Sequence, residues 1–198
     1  MKIVSMISIH PGSGQTTVLV NLASGLARQG KQVLIGELGP SPRLRDWLGV
    51  VPDSCLATDS AVTPDKLKTN ICSSRLGMDF LTWVTSPPAY LQIDSVRTKL
   101  EQWGYDYLFL HPATAQACHS STPIADKIVV CTDLRQENEL RKLQVLDQNL
   151  QAAAGKSPGI SLIVPNRIDT REWDHNSRQL MVLADYFGVD KIADPIPT

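Results

Sequence analysis

The chain has 198 residues, of which 42% are hydrophobic and 20% are charged, and its net charge at pH 7 is −1. The near-neutral charge argues against a dominant surface for nucleic acid or anionic membrane. No apolar stretch approaches the ~20 residues that span a bilayer, and the apolar N-terminal run is too short for a signal peptide and lacks a small-residue cleavage site. We therefore expect a cytoplasmic protein that forms a single domain over residues 1–198.

Strand-like and helix-like segments alternate along the chain. The predicted strands are residues 2–9, 32–37, 78–83, 107–110, 127–132 and 160–164. The predicted helices are residues 16–29, a short helix through 44–48, and residues 93–103, 135–154 and 173–187. Residues 50–77 are expected to be irregular, with one helical turn after Pro64. This alternation predicts an α/β fold with a mostly parallel sheet and helices on both faces.

The four cysteines show neither a CxxC spacing nor the regular spacing of a secreted disulfide framework. They are Cys55, Cys72, Cys118 and Cys131. In a cytoplasmic protein this pattern predicts reduced thiols.

A glycine-containing segment, His10-Pro-Gly-Ser-Gly-Gln-Thr-Thr17, lies between the first predicted strand and the first predicted helix. That is the context of a phosphate-binding loop, which directs backbone N–H groups and a helix N-terminus at phosphate oxygens. The segment resembles the deviant Walker A motif of the ParA/MinD ATPases, Lys-Gly-Gly-x-Gly-Lys-Thr-Thr. The positions that would contact a nucleotide are Gly12, Ser13, Gly14, Gln15, Thr16 and Thr17. The alternative interpretation is that the glycines only form a tight strand-to-helix turn.

Three loop positions depart from the family motif. The signature Lys, which in the family reaches across a dimer to the partner's nucleotide, is His10 here. The next Gly is Pro11, which has no N–H to donate. The Walker Lys is Gln15, whose neutral amide cannot supply the charge-assisted hydrogen bond, roughly twice as strong as a neutral one. The loop is thus a degenerate version of the motif.

The resemblance extends to two acidic positions of the family. Its Asp-x-Asp-Pro segment is here Glu37-Leu-Gly39-Pro, so that the second Asp, which helps to position the attacking water, is lost. Its Walker B Asp is His111, and imidazole is a poor ligand for Mg²⁺. No catalytic residue is therefore expected, and Glu37 and His111 are the remaining candidates for one. The alternative interpretation of Glu37 is a solvated loop carboxylate.

Asn166 and Arg167 match the strand-end position at which the family recognises the adenine edge. The alternative interpretation is that both are ordinary residues of a turn. No metal is expected. If Mg²⁺ binds, the resemblance assigns it to the Thr16 hydroxyl. A second metal hypothesis groups His10 and His111 with Cys118 and His119, although the spacing of these residues matches no zinc motif.

The resemblance implies a P-loop NTPase-like three-layer sandwich, and ATP or ADP is its candidate cofactor. Since four charged positions of the motif are lost, we expect a non-hydrolytic positioning or assembly adaptor with a protein partner. A weakly active ParA-type ATPase that positions a cellular cargo, and a sensor of anions or small ligands at the helix N-terminus after Gly14, are the alternatives.

Two kinds of partner are not expected. One is nucleic acid, because Arg135, Arg141 and Lys142 make too sparse a basic patch. The other is a nucleotide-dependent sandwich dimer, because the signature Lys is absent. The chain stops where the family continues with another helix, which predicts either a truncated chain or an unusually short member.

Overall fold

A computed structural model describes residues 1–39, 42–50, 56–57, 68–83, 93–113, 121–135, 138–152 and 159–198. The chain divides into two compact units. The first unit consists of Met1–Ser5 and Thr16–Asp126, and the second consists of Met6–Gln15 and Lys127–Thr198. The expectation that residues 1–198 form one domain stays a prediction.

Parallel strands alternate with helices in the described part of the chain. The strands are β1 (Lys2–Ser8), β2 (Val33–Leu38), β3 (Leu56–Ala57), β4 (Cys72–Ser73), β5 (Asp79–Trp83), β6 (Tyr107–Pro112), β7 (Lys127–Thr132), β8 (Leu162–Ile168) and β9 (Ile196–Pro197). The helices are α1 (Gln15–Arg28), α2 (Pro42–Leu48), α3 (Ile93–Gln102), α4 (Glu139–Ala152) and α5 (Trp173–Phe187). Among the described helices, none has the length and apolar character needed to cross a membrane.

The first unit contains a sheet with the strand order β3-β5-β2-β6-β1, in which neighbouring strands are parallel. The short strand β4 pairs antiparallel with β5. The central strands are apolar on both faces, as expected for buried parallel strands, and Ile35, Phe80 and Phe109 are almost fully buried. In the register of these strands, Glu37 of β2 faces Thr82 of β5 on one side and His111 of β6 on the other. The register thus lines up three polar side chains near the carboxyl ends of three strands.

The second unit contains the parallel strands β7, β8 and β9, paired in that order. Helix α4 buries Leu143 and Leu150, and helix α5 buries Leu183 and Phe187. Because β1 ends at Ser8, the loop of residues 9–14 begins at the carboxyl end of a strand and leads into α1. Open α/β sheets bind their ligands at this end of the strands.

The predicted elements are present, and helix 173–187 has the predicted ends. Strands β6 and β8 extend further than predicted, to Pro112 and Ile168. Pro112 is the last residue of β6 and Pro165 lies inside β8, although proline lacks the N–H that a ladder uses. Helix α4 begins at Glu139, four residues later than predicted. Strands β3 and β4 lie in the stretch that was predicted to be irregular. Residues 64–67, where the predicted helical turn after Pro64 begins, lie outside the described residues.

The prediction of reduced thiols is wrong for Cys72, which is disulfide-bonded. Cys131 is a free buried thiol on β7, and burial raises its pKa to about 12. Sequence spacing could not reveal the disulfide, because pairing depends on the distance and orientation of the two residues in the folded chain.

Candidate phosphate-binding loop and strand-end residues

Two glycines give the loop between β1 and α1 its conformation. Gly12 has φ +90° and Gly14 has φ +89°, in the left-handed region that favours glycine. At Gly14 there is also no space for a side chain, because a Cβ atom would lie 1.9 Å from Nδ2 of Asn166. The loop therefore needs glycine at position 14 for two independent reasons.

Asn166 and Arg167, at the end of β8, hold this loop through its carbonyl groups. Asn166 Nδ2 donates to the Ser13 carbonyl over 2.8 Å, and Arg167 Nη1 donates to the Gly12 carbonyl over 2.8 Å. Asn166 is buried and pairs with Ile196 of β9, so its interpretation as a turn residue is wrong. Arg167 has a left-handed φ of +60° although it is not glycine. Recognition of an adenine edge by these two residues stays a prediction.

The Gln15 side chain is bonded to strand β1. Its Oε1 accepts a hydrogen bond from Ser8 Oγ over 3.0 Å, and its Nε2 donates to the Met6 carbonyl over 2.6 Å. Both polar ends of the amide thus have a partner on the strand that precedes the loop. Ser13 in the same loop has a buried hydroxyl that lacks a hydrogen-bond partner among the described residues.

His10 lies against two carboxylates of the second unit. Its Nε2 is 3.1 Å from Oε1 of Glu139, in the first turn of α4, and 3.2 Å from Oδ1 of Asp133, directly after β7. Its Nδ1 is 3.1 Å from the Pro11 carbonyl. Burial lowers the pKa of His10, but the Pro11 carbonyl and the two carboxylates outweigh burial, so that the net pKa is raised. Sequence reasoning missed Asp133 and Glu139 because they match no residue of the family motif.

In the first unit, Thr16 and His111 are in direct contact. Thr16 Oγ1 lies 3.1 Å from His111 Nε2, and the imidazole is only 4% exposed. Burial lowers the pKa of His111 to about 4, so its side chain is neutral at pH 7. The Nδ1 atom has no hydrogen-bond partner within the described part of the chain. The hydroxyl that the family motif assigns to Mg²⁺ is therefore bonded to an imidazole.

Glu37 is fully buried on β2, so its interpretation as a solvated loop carboxylate is wrong. Its Oε2 accepts a hydrogen bond from Thr82 Oγ1 over 2.8 Å and lies 3.3 Å from Nε of Arg45 on α2. A buried carboxylate needs such partners, since an unpaired buried charge is strongly destabilising. Arg45 and Thr82 were not identified from the sequence. The register of Thr82 with Glu37 becomes visible only when the sheet is assembled.

The predicted site residues thus fall into two groups. Gly12, Ser13, Gly14, Gln15, Asn166 and Arg167 form one connected set in the second unit. Thr16 is bonded to His111 in the first unit, where His111 is also the strand neighbour of Glu37. Thr17 is exposed on α1. The second metal hypothesis cannot be followed at Cys118 and His119, which lie outside the described residues.

No protein-family model matches this chain, and no curated protein matches it. Solved structures do match. Cobyrinic acid a,c-diamide synthase from Mycobacterium smegmatis, with bound ATP analogue and magnesium, superposes with a TM-score of 0.75 at 18% identity, covering 100% of this chain and 87% of that chain. The MinC:MinD cell division protein complex of Aquifex aeolicus gives a TM-score of 0.75 at 18% identity over 100% of this chain and 81% of that chain. A plasmid partition protein from Borrelia burgdorferi gives 0.74 at 14% identity over 99% and 89%.

These likenesses confirm the predicted fold class, an α/β fold of the P-loop NTPase type with a mostly parallel sheet and helices on both faces. They also confirm the resemblance to the ParA/MinD ATPases as a resemblance of fold. At 14–18% identity these likenesses establish the fold of the chain and do not establish an activity.

Proposed function

We propose that this protein is a degenerate relative of the ParA/MinD ATPases, a cytoplasmic positioning or assembly adaptor that binds a protein partner and hydrolyses no nucleotide. The observation that carries the proposal is the hydrogen bonding of the Gln15 side chain, which stands at the Walker Lys position. Its amide is bonded at both ends to Ser8 and Met6 of β1. It therefore offers neither the positive charge nor the free side chain with which a Walker Lys stabilises the transferring phosphoryl group.

The first unit supports the same conclusion. Catalysis of phosphoryl transfer depends on positioned charges and on Mg²⁺. Here the Thr16 hydroxyl is hydrogen-bonded to neutral His111, and the Glu37 carboxylate is bonded to Arg45 and Thr82. A hard cation would have to displace the imidazole from Thr16 and would gain no carboxylate at position 111.

The positioning role is suggested by proteins that share the fold. Two of the superposed structures are a cell division protein in complex with its partner and a plasmid partition protein. An adaptor that keeps the scaffold and loses turnover would act through its surface. Such a protein would need a protein partner and no chemistry at the loop.

The test is a pair of measurements on the full chain. Phosphate release from ATP and from GTP is followed with and without Mg²⁺, and we expect no turnover above background. Thermal unfolding is followed with ATP, ADP and Mg²⁺, where a bound ligand present at 100 times its Kd would stabilise the protein by about 2.7 kcal/mol. Sustained phosphate release that disappears in Thr16→Ala would overturn the proposal and establish the weakly active ATPase.

A second candidate function is binding of an anion or small phosphorylated ligand at the loop. The observation that favours it is the buried Ser13 hydroxyl, which lacks a partner among the described residues. A buried polar group without a partner in the protein normally forms a hydrogen bond to water or to a ligand. Titration with inorganic phosphate, comparing the unaltered chain with Ser13→Ala, tests it. Equal or absent binding in both proteins would exclude this role for Ser13.

A further inference from the structure

Three side chains of the second unit converge on one point next to the loop. They are His10, Asp133 and Glu139, and their ligand atoms all lie within 4.8 Å of one another. His10 precedes the two glycines of the loop, Asp133 follows β7, and Glu139 begins α4. We propose that these three residues form a binding site for a divalent first-row transition metal, with His10 Nε2, one oxygen of Asp133 and one oxygen of Glu139 as its ligands.

The chemistry of the donors fits such a cation. Imidazole nitrogen and carboxylate oxygen are ligands that zinc and its neighbours accept, with bonds of about 2.0 to 2.2 Å. Two ligand atoms of a tetrahedral site with such bonds lie about 3.3 Å apart. The two separations measured from His10 Nε2 are 3.1 and 3.2 Å. Both separations between the histidine nitrogen and a carboxylate oxygen are therefore close to the spacing that a tetrahedral ion requires.

The groups around the three ligands orient them in the way that metal ligands are usually oriented. A ligating histidine typically donates its second ring N–H to a carbonyl or carboxylate, which fixes the tautomer. The Nδ1 of His10 is 3.1 Å from the Pro11 carbonyl, so that donation from Nδ1 leaves the Nε2 lone pair directed at the two carboxylates. Thr132 Oγ1 donates to the same Glu139 oxygen that faces His10. The backbone N–H of Arg135 donates to Asp133 Oδ1 over 3.3 Å.

The charges of the three ligands are compatible with a bound cation. The side chains of Asp133 and Glu139 are only 6% and 2% exposed, and that of His10 is 14% exposed. Even with a protonated imidazole, two carboxylates and one histidine carry a net charge of −1. The nearby cation Arg135 lies 3.9 Å from the other Asp133 oxygen and is half exposed. A divalent ion with neutral imidazole brings the three ligands to neutrality, which offsets part of the cost of burying them.

The competing interpretation of this cluster is a buried ion pair between imidazolium and the carboxylates. An ion pair would hold the three residues together without any metal. The two interpretations differ in the expected affinity of the protein for a divalent cation in the absence of nucleotide. They also differ in whether that affinity depends on all three residues.

The experiment uses the full chain after treatment with a chelator, and Zn²⁺ as the probe in isothermal titration calorimetry. We expect one Zn²⁺ per chain at this site, and at least about tenfold weaker binding in each of His10→Ala, Asp133→Asn and Glu139→Gln. The matched control is His175→Ala, which removes an exposed histidine of α5 in the same unit and should leave the affinity unchanged. Circular dichroism of each variant verifies that it is folded, and the two nearly isosteric amide variants suffice if His10→Ala is not.

X-ray absorption of the zinc-loaded protein identifies the ligands directly, which matters because the chain also contains cysteines. A first shell of nitrogen and oxygen atoms without sulfur supports the proposal. Absence of Zn²⁺ binding, binding that is equal in all variants, or a sulfur ligand would overturn it and leave the cluster as a buried ion pair only. Because the readouts are metal affinity and the ligand shell, the result is independent of whether the protein hydrolyses nucleotide.

Discussion

Acidification should destabilise this protein through His111. The buried imidazole of β6 has a pKa of about 4 in the folded chain, because burial disfavours its charged form. In the unfolded chain a histidine titrates near 6.5. Between these two pH values the unfolded state binds more protons than the folded state, so stability falls as the pH falls. The contribution of His111 is fully present above about pH 6.5 and is lost progressively as the pH approaches 4.

The magnitude follows from the two pKa values. Their difference of about 2.5 pH units corresponds to about 3 kcal/mol in total, at 1.36 kcal/mol per unit. At pH 5 the unfolded imidazole is about thirtyfold more often protonated than neutral, whereas the folded imidazole stays mostly neutral. The expected loss between pH 7.5 and pH 5 is therefore about 2 kcal/mol. That is a large part of the 5–15 kcal/mol that typically stabilises a folded protein.

The assay is urea unfolding at pH 7.5 and at pH 5, monitored by the fluorescence of the four tryptophans. His111→Gln removes the titrating group and keeps an acceptor for the Thr16 hydroxyl. Other carboxylates and histidines titrate in both proteins, so the difference between the two pH dependences isolates His111. His175→Gln, at an exposed histidine, is the control and should retain the full pH dependence. If His111→Gln loses as much stability at pH 5 as the unaltered chain does, the reasoning from burial is wrong.

Three further predictions concern the loop and its neighbours. Gly14→Ala should cost about 2–4 kcal/mol in the free energy of unfolding, from left-handed strain and from the clash with Asn166, whereas Gly12→Ala, with open space around it, should cost only about 1–2 kcal/mol. Gln15→Lys should raise the affinity for phosphate by roughly fivefold in calorimetry, because a charge-assisted hydrogen bond contributes about 1 kcal/mol more than a neutral one. We expect this variant to show no ATP turnover. A working ATPase from that single change would contradict our account of Glu37 and His111. Light scattering with a non-hydrolysable ATP analogue and Mg²⁺ should show no new dimer, because His10 is bonded within its own chain to Asp133 and Glu139. A monomer that dimerises only with the analogue would refute the pseudo-ATPase proposal.

The fold could be predicted because its signals are local. Each strand and helix has its own apolar pattern, and the glycines at positions 12 and 14 mark a strand-to-helix loop whose φ values only glycine adopts readily. Proline is a strong local signal against a strand, yet Pro112 ends β6 and Pro165 lies inside β8, so both strands end later than predicted. In both cases the pairing with neighbouring strands outweighs that signal.

The partners of the site residues could not be predicted, because they are set by distant parts of the chain. Glu37 obtains Thr82 from a strand 45 residues later, and His10 meets Glu139 across 129 residues. The family motif singles out positions 37 and 10 but carries no information about their partners within this chain. The comparison with the family motif therefore identifies which side chains differ from it. It cannot identify the internal contacts that those side chains make.

Those internal contacts bear on the proposal that the loop is degenerate. Replacing a motif residue at a polar, partly buried site would ordinarily leave groups without hydrogen-bond partners, at a cost of about 1–3 kcal/mol each. Gln15 is instead bonded to Ser8 and Met6, and Thr16 to His111. A Lys at position 15 could still reach the Met6 carbonyl, but it could not accept from the Ser8 hydroxyl, since it has no acceptor.

Introducing the family residue at one position at a time therefore breaks a hydrogen bond before it creates a site. Gln15→Lys gains affinity for phosphate but loses the bond to Ser8, which lowers the stability of the fold. An aspartate at position 111 would likewise be an acceptor buried beside Thr16 without its cation. Stability and phosphate affinity should consequently move in opposite directions in the single variants. Activity would require several of these contacts to change together with the arrival of Mg²⁺.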